Sequence, residues 1–223
     1  MNFQKQFSTY NDNAYVQKEV AINLINFLKR VGLNRKDIIF EIGCGTGIFT
    51  KEIINNLSPR ILLLNDICDV ERYIKDLKYS EFIKGNIEEI CFPKSEIVLS
   101  SSVFQWIKNF EKLIENISKN SSELGFSIYI LGNLKEIKEH FNISLNYLTS
   151  QEILKILKKY FSEVIWEEES IEKQFSSPLE ALKHLKQTGV TGFQKSDIGK
   201  IRSYKKDILT YKVAYFYCKN KIV

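Results

Sequence analysis

The chain has 223 residues, 44% of them hydrophobic and 26% charged, which is enough to bury one sizeable core and excludes a fibrous or disordered protein. Its formal net charge of +5 is carried mostly by lysine in a chain rich in Ile and Asn, so a solvated basic surface accounts for it as well as an acidic partner does. Cys44, Cys68, Cys91 and Cys218 form no C-x-x-C pair; neither a zinc site nor a disulfide framework is expected, and no metal is assigned. The first ten residues lack the apolar stretch of a signal peptide, and no apolar run approaches the ~18 residues that span a bilayer. A soluble, cytoplasmic, monomeric protein is expected.

In chain order, Val16, Val20, Leu24, Phe27 and Val31 recur at helical spacing, with Gly32 placed to end the helix. Ile38 to Ile42 reads as a short buried strand, Gly43 to Gly47 as a tight turn, and Ile48 to Leu57 as a helix that stops near Ser58 and Pro59. The alternation repeats through a strand at Ile61 to Leu64, a helix around Glu71 to Leu77, strands at Phe82 to Ile83 and Ile97 to Leu99, a helix carrying Phe110, Leu113, Ile114 and Ile117, and a strand at Phe126 to Ile130. Thr149 and Glu152 are spaced as a capping box ahead of Ile153 and Leu157. A strand at Val164 to Trp166, a helical stretch starting at Ser177 and Pro178, and a last strand from Tyr211 to Cys218 complete the chain. Strands alternating with helices predict a doubly wound α/β sandwich around a mostly parallel sheet.

The informative motif is Glu41-Ile42-Gly43-Cys44-Gly45-Thr46-Gly47. Glycine at every second position, straight after a strand and straight before a helix, permits unusual dihedrals and lets the backbone approach a ligand at the carboxyl end of the sheet. The dinucleotide fingerprint is G-x-G-x-x-G; this loop is E-x-G-x-G-x-G instead, with an acidic residue inside the strand. It resembles the first motif of the class I S-adenosylmethionine methyltransferases. That resemblance implies a Rossmann-like, seven-stranded sheet with an antiparallel last strand, and S-adenosylmethionine as cofactor. It also implies cofactor-binding roles for Glu41, Gly43, Cys44, Gly45 and Gly47. Asp66, about 20 residues on at the end of the second strand, is placed to accept hydrogen bonds from ribose hydroxyls. Asn86 and Ile87 stand where the family contacts adenine, with Asn86 in place of the more usual Asp. Ser100, Gln105 and Trp106 lie in the stretch from Glu96 to Trp106, which is similar to the fourth-strand motif of small-molecule methyltransferases. The Asn/Asp-Pro-Pro-Tyr motif of enzymes that methylate base amino groups is missing, which argues against amino methylation of DNA or RNA without excluding other nucleic-acid methylation; the expected partners include no nucleic acid.

Further segments, Phe7-Ser8-Thr9-Tyr10 with Ala14 and Gln17, and Leu185-Lys186-Gln187-Thr188-Gly189-Val190 with Leu209-Thr210-Tyr211, are similar to the malonyl-[acyl-carrier protein] O-methyltransferases of biotin synthesis. The resemblance implies transfer of a methyl group to the free carboxylate of a malonyl thioester held on carrier protein or coenzyme A. Tyr10 is then the candidate to contact that carboxylate. A carboxylate is already ionised near neutral pH and needs no general base, which suits a chain whose two histidines are His140 and His184. His184 is expected at the surface or in a lid, and Lys183, Lys186, Lys195, Lys200, Arg202, Lys205 and Lys206 as a docking face for an acidic carrier protein. One domain is expected: an N-terminal lid and helix (1–34), a cofactor-binding core (35–170), a helical insertion (171–208) and a last strand (209–223). Methylation of another carboxylate such as an aconitate, or of a quinone-ring carbon, remains open, as does a nucleic-acid-binding module on the same fold.

Overall fold

The computed structural model describes residues 13–188 and 198–220. Helix α1 (Tyr15–Arg30) leads into β1 (Ile38–Ile42), α2 (Ile48–Leu57) and β2 (Ile61–Asp66). A short α3 (Glu71–Ile74) precedes β3 (Glu81–Lys84), and β4 (Ser95–Ser101) runs into a single 3-10 turn at Phe104–Trp106. After α4 (Phe110–Asn120) and β5 (Ser121–Tyr129) come α5 (Lys135–Phe141), α6 (Ser150–Leu157) and β6 (Glu163–Gln174). Helices α7 (Pro178–Thr188) and α8 (Ile198–Ser203) follow, and β7 (Ile208–Lys219) ends the described chain.

The sheet order is β3-β2-β1-β4-β5-β7-β6. Strands β1 to β5 pair in parallel, and β7 runs antiparallel between β5 and β6. The expected seven-stranded, mostly parallel sheet is therefore present. Its β1 is buried along four of five positions because helices cover both faces, as parallel sheets require. One face packs Val20, Leu24 and Leu28 of α1 against Leu99, Tyr129 and Tyr211; the other packs Leu113, Ile114 and Ile117 of α4 with Phe126 and Phe216. The chain order reverses between β1 and β4, and the crevice beyond their carboxyl ends is where such sheets bind ligands.

Local signals place several boundaries. Thr149 and Glu152 form the capping box reciprocally, and Asn109 caps α4 by accepting from the Lys112 amide at 3.0 Å. Two elements differ from the sequence reading. Strand β6 does not stop at Trp166 but continues to Gln174, since its run of glutamates finds partners on α1 and β7: Glu169 bonds Asn23 and Tyr215, and Glu167 pairs with Arg30. The helical insertion accordingly begins after β6, later than residue 171. Helix α5 is an addition, entered through Leu134 and left through Asn142, both left-handed at φ 51° and 57°.

Candidate functional site

Strand β1 ends at Ile42, and the chain turns on Gly43, Gly45 and Gly47 with φ of 74°, 53° and 80°. Any L side chain is strained there, and two of the three positions are also sterically closed. A Cβ on Gly43 would lie 2.4 Å from Val103 Cγ2, and one on Gly47 2.5 Å from Leu77 Cδ1. A Cβ on Gly45 would meet nothing within 4 Å. The middle of the loop thus faces open space, while its two ends are wedged against the protein.

Asn65 and Asp66, at the end of β2, hold this loop from below. The Asn65 carbonyl accepts from the amides of Gly43 (2.8 Å) and Cys44 (2.9 Å), and its side-chain amide donates to the carbonyls of Ile83 in β3 and Gly85 just after it. The Asp66 carboxylate accepts from the Gly45 amide at 2.9 Å and the Cys68 amide at 2.8 Å. Burial raises its pKa, and the surrounding backbone amides pull it back. Glu41 is fully enclosed in β1. Burial pushes its carboxyl up to about 8, the nearby Thr50 hydroxyl offsets part of the rise and the Asp66 charge adds to it. Its Oε2 has no hydrogen-bond partner. Cys44 is buried between the two glycines, and desolvation, with Glu41 and Asp66 nearby, raises its thiol far above the usual range; it acts here as a small apolar residue, not a nucleophile.

The far wall is the exit of β4. Ser100 is buried and donates to the Ile42 carbonyl at 2.9 Å, which ties β4 to β1. Ser102 takes a left-handed conformation at φ 60°, and Gln105 Nε2 donates to its carbonyl at 2.6 Å. The Ser102 hydroxyl and Gln105 Oε1 are buried without a partner. Trp106 is half-buried next to Gln105. Beyond β3, Asn86 closes a local turn: its Oδ1 accepts from the Glu88 amide and its Nδ2 donates to Glu89. Ile87 is buried in the core with Ile42, Val98 and Phe104. The structure brings Glu41, the loop, Asp66, Ser100 and Gln105 to one crevice. Tyr10 lies outside the described residues, as do Lys195, Gly189 and Val190.

The insertion corrects one expectation. His184 is not at the surface but buried at 4% exposure, its Nε2 lying 3.0 Å from the Tyr211 hydroxyl under Tyr15 and Phe175. An imidazole among aromatic rings is packed by them, and its burial lowers its pKa to about 4. The motif residues Thr210 and Tyr211 acquire a reason here. Thr210 donates its hydroxyl and amide to the buried Glu136 of α5, and Tyr211 meets His184 of α7. The start of β7 therefore grips two helices at once.

Residues 40–127 match the family described as "Methyltransferase domain". Over 219 residues, 96% of this chain and 86% of the relative, the sequence is 36% identical to the malonyl-[acyl-carrier protein] O-methyltransferase of Calditerrivibrio nitroreducens. The enzyme of the same name from Bacteroides thetaiotaomicron is 36% identical over 85% of this chain and 76% of its own length. The chain belongs to the malonyl-[acyl-carrier protein] O-methyltransferase family. Among solved structures, the plantazolicin methyltransferase BpumL in complex with SAH superposes with a TM-score of 0.60 at 15% identity, covering 97% of this chain and 90% of that one, which shows the shared fold.

As a member of that family the chain is a methyltransferase, and S-adenosylmethionine is the methyl donor expected from its glycine loop. The crevice fits that molecule. A flat group can lie over the open Gly45, and the buried Glu41 Oε2 and Gln105 Oε1 are acceptors left without a protein partner, as the ammonium of an amino-acid end requires. Sequence reasoning missed Asn65 and Ser102. The signal for Asn65 was its place directly before Asp66; the left-handed Ser102 had none. Among the described residues no group of three or more His, Cys, Asp or Glu could hold a metal ion, and no helix is long and apolar enough to cross a membrane.

Proposed function

We propose that this enzyme methylates the free carboxylate of a malonyl group carried as a thioester on acyl carrier protein, an early step toward the pimeloyl chain of biotin. The observation that carries the reading is the 36% identity to an enzyme of that name across nearly the whole chain; it is joined by the engagement of both histidines away from the glycine loop, His140 with the Lys200 carbonyl and His184 with Tyr211. The one buried histidine is turned to Tyr211 and held neutral. A carboxylate acceptor needs no such base.

Bound S-adenosylmethionine supplies an electrophilic methyl group on a sulfonium. The chain's own residues supply position. Asp66, already aligned by two backbone amides, accepts from the ribose; Gly43, Cys44, Gly45 and Gly47 carry the donor over the loop; Glu41, Ser100, Gln105 and Trp106 bound its amino-acid end; Asn86 and Ile87 border the base. Tyr10 donates to the malonyl carboxylate without acting as a base. Orientation of this kind is worth roughly 7 to 11 kcal/mol in favourable cases, and excluding water favours the neutralisation of an anion by a cation. Lys200, Arg202, Lys205 and Lys206, all exposed on and after α8, remain the docking face for the acidic carrier protein; Lys183 is engaged with Glu180 at 2.7 Å. Four free thiols suit a reducing cytoplasm.

Mass spectrometry of malonyl-carrier protein incubated with enzyme and S-adenosylmethionine tests the reading. One added methyl group, with the malonyl carboxylate now a methyl ester, is expected; no mass shift, with S-adenosylhomocysteine binding demonstrated, rejects the substrate. The same assay with Tyr10→Phe is expected to show slower turnover at unchanged cofactor affinity, and unchanged turnover removes Tyr10 from the site.

A further inference from the structure

Native proteins leave few buried polar atoms unpaired, and each one calls for a reason. Glu41 Oε2 and Gln105 Oε1 have theirs in the crevice. A further such atom is Gln17 Oε1, in the first turn of α1, on a residue only 6% exposed.

The packing of α1 locates this side chain. Leu28 lies over the sheet where a Cβ on Gly125 would be 2.8 Å from Leu28 Cδ2 and 2.9 Å from Leu99 Cδ2. Gln17 stands eleven residues earlier, three turns back on the same helix face and about 16 Å along the axis. The helix runs opposite to β4 and β5. Glu19 pairs with Lys173, Asn23 with Glu169 and Arg30 with Glu167, so α1 ascends as β6 descends, and β6 runs in the direction of β5 because both are antiparallel to β7. At about 3.3 Å per strand residue, 16 Å corresponds to about five residues beyond Leu99. That is the exit of β4, beside Ser102 and Gln105.

Three unpartnered acceptors, Gln17 Oε1, Gln105 Oε1 and Glu41 Oε2, thus come from three elements to the carboxyl end of β1 and β4. An ammonium group offers three N–H donors and no acceptor, which is the complement of this set. We propose that Gln17 is a cofactor-binding residue that accepts a hydrogen bond from the α-ammonium of the methyl donor, so that α1 closes the crevice over the donor's amino-acid end. The proposal rests on S-adenosylmethionine as donor and not on the malonyl acceptor.

Calorimetric titration of the full chain with two ligands tests it without turnover. S-adenosylhomocysteine carries the amino-acid end; 5′-methylthioadenosine stops at the sulfur. For Gln17→Leu, affinity for S-adenosylhomocysteine is expected to fall about tenfold, or about 1.4 kcal/mol, while affinity for 5′-methylthioadenosine stays within about twofold of wild type. Gln17→Asn, which withdraws the amide by one methylene, is expected to show the same contrast should the leucine variant fail to fold. Equal loss for both ligands would mean that Gln17 only packs α1, and no loss for either would mean that it does not reach the donor; each result overturns the proposal. Because no acceptor is present, a failed malonyl assay leaves this measurement intact.

Discussion

The Asp66 carboxylate and the Gly45 amide are joined by a 2.9 Å hydrogen bond, so the acid proposed to face the ribose also sets the height of the glycine loop. Asp66→Ala removes both at once and frees the Cys68 amide besides. Hydrogen bonds to charged groups are worth about 1.5–3 kcal/mol. A loss of roughly 10- to 100-fold in S-adenosylhomocysteine affinity is expected by calorimetry, with a lowered melting temperature; Asp66→Asn keeps an acceptor and should lose less.

The two outer glycines and the middle one should fail differently. Gly43→Ala drives a Cβ to 2.4 Å from Val103 Cγ2 at a left-handed residue, so its main expected effect is a fall in melting temperature. Gly45→Ala meets no protein atom and costs only the left-handed conformation, about 1–2 kcal/mol. It should fold and yet bind S-adenosylhomocysteine poorly, because its methyl group occupies the space above the loop. Thermal scans with and without ligand separate the two.

Glu41 sets up a pH dependence of its own. Burial, with Asp66 adding, raises its carboxyl from 4.5 to about 8, so the folded ligand-free protein holds a proton that the unfolded chain gives up. Stability from this group is full below pH 4.5 and is lost as the pH rises through about 8. Glu41→Gln is expected to melt about 4 °C or more above wild type at pH 8 without ligand, with little difference at pH 4.5. It should also bind the donor more weakly. A variant that is not stabilised at pH 8 contradicts the enclosed, unpaired state of this carboxyl.

His184 works in the opposite direction. Burial lowers its pKa from 6.5 to about 4, so the unfolded chain takes up a proton that the folded chain refuses. Its contribution is full above pH 6.5 and is lost as the pH falls through about 4. The melting temperature of His184→Gln should therefore decline less than that of wild type between pH 6.5 and pH 4. Parallel curves would show that the imidazole is not held neutral.

Exposed lysines and arginine on and after α8 predict a salt-dependent carrier interaction. Screening lengths shrink to about 3 Å at 1 M salt, so KM for malonyl-carrier protein should rise steeply with ionic strength, and Lys205→Glu with Lys206→Glu should raise it at low salt. An affinity indifferent to salt and to both substitutions removes this face from docking.

What could be read from the sequence follows what the backbone demands locally. The E-x-G-x-G-x-G loop was legible because only glycine tolerates three positive φ values in five residues, and Asp66 because it ends a strand at a fixed distance from that loop. The capping box at Thr149 fixed α6. Strand β6 was read too short because Glu167, Glu168 and Glu169 break an apolar pattern, and their partners, Arg30, Asn23, Lys212 and Tyr215, lie far along the chain. Helix α5 was missed since Lys135–Phe141 is polar, short and bounded by left-handed residues without a capping side chain. His184 was misplaced for a related reason: its lysine neighbours suggest solvent, and only Tyr15, Phe175 and Tyr211 make it interior.

The strand pair that frames the insertion has an evolutionary corollary. Gln174 of β6 sits opposite Ile208 of β7, and the next rung is closed by the Phe175 amide on the Asp207 carbonyl at 2.8 Å. Everything from 175 to 207 therefore leaves and re-enters the sheet through one doorway, a single rung wide. A segment hung this way can be lengthened, shortened or exchanged at two points that are neighbours in the sheet though far apart in the chain, while β1, β2 and β4 keep their register. Grafting 175–207 from a relative of different specificity then tests whether acceptor choice travels with that segment while the glycine loop stays unchanged.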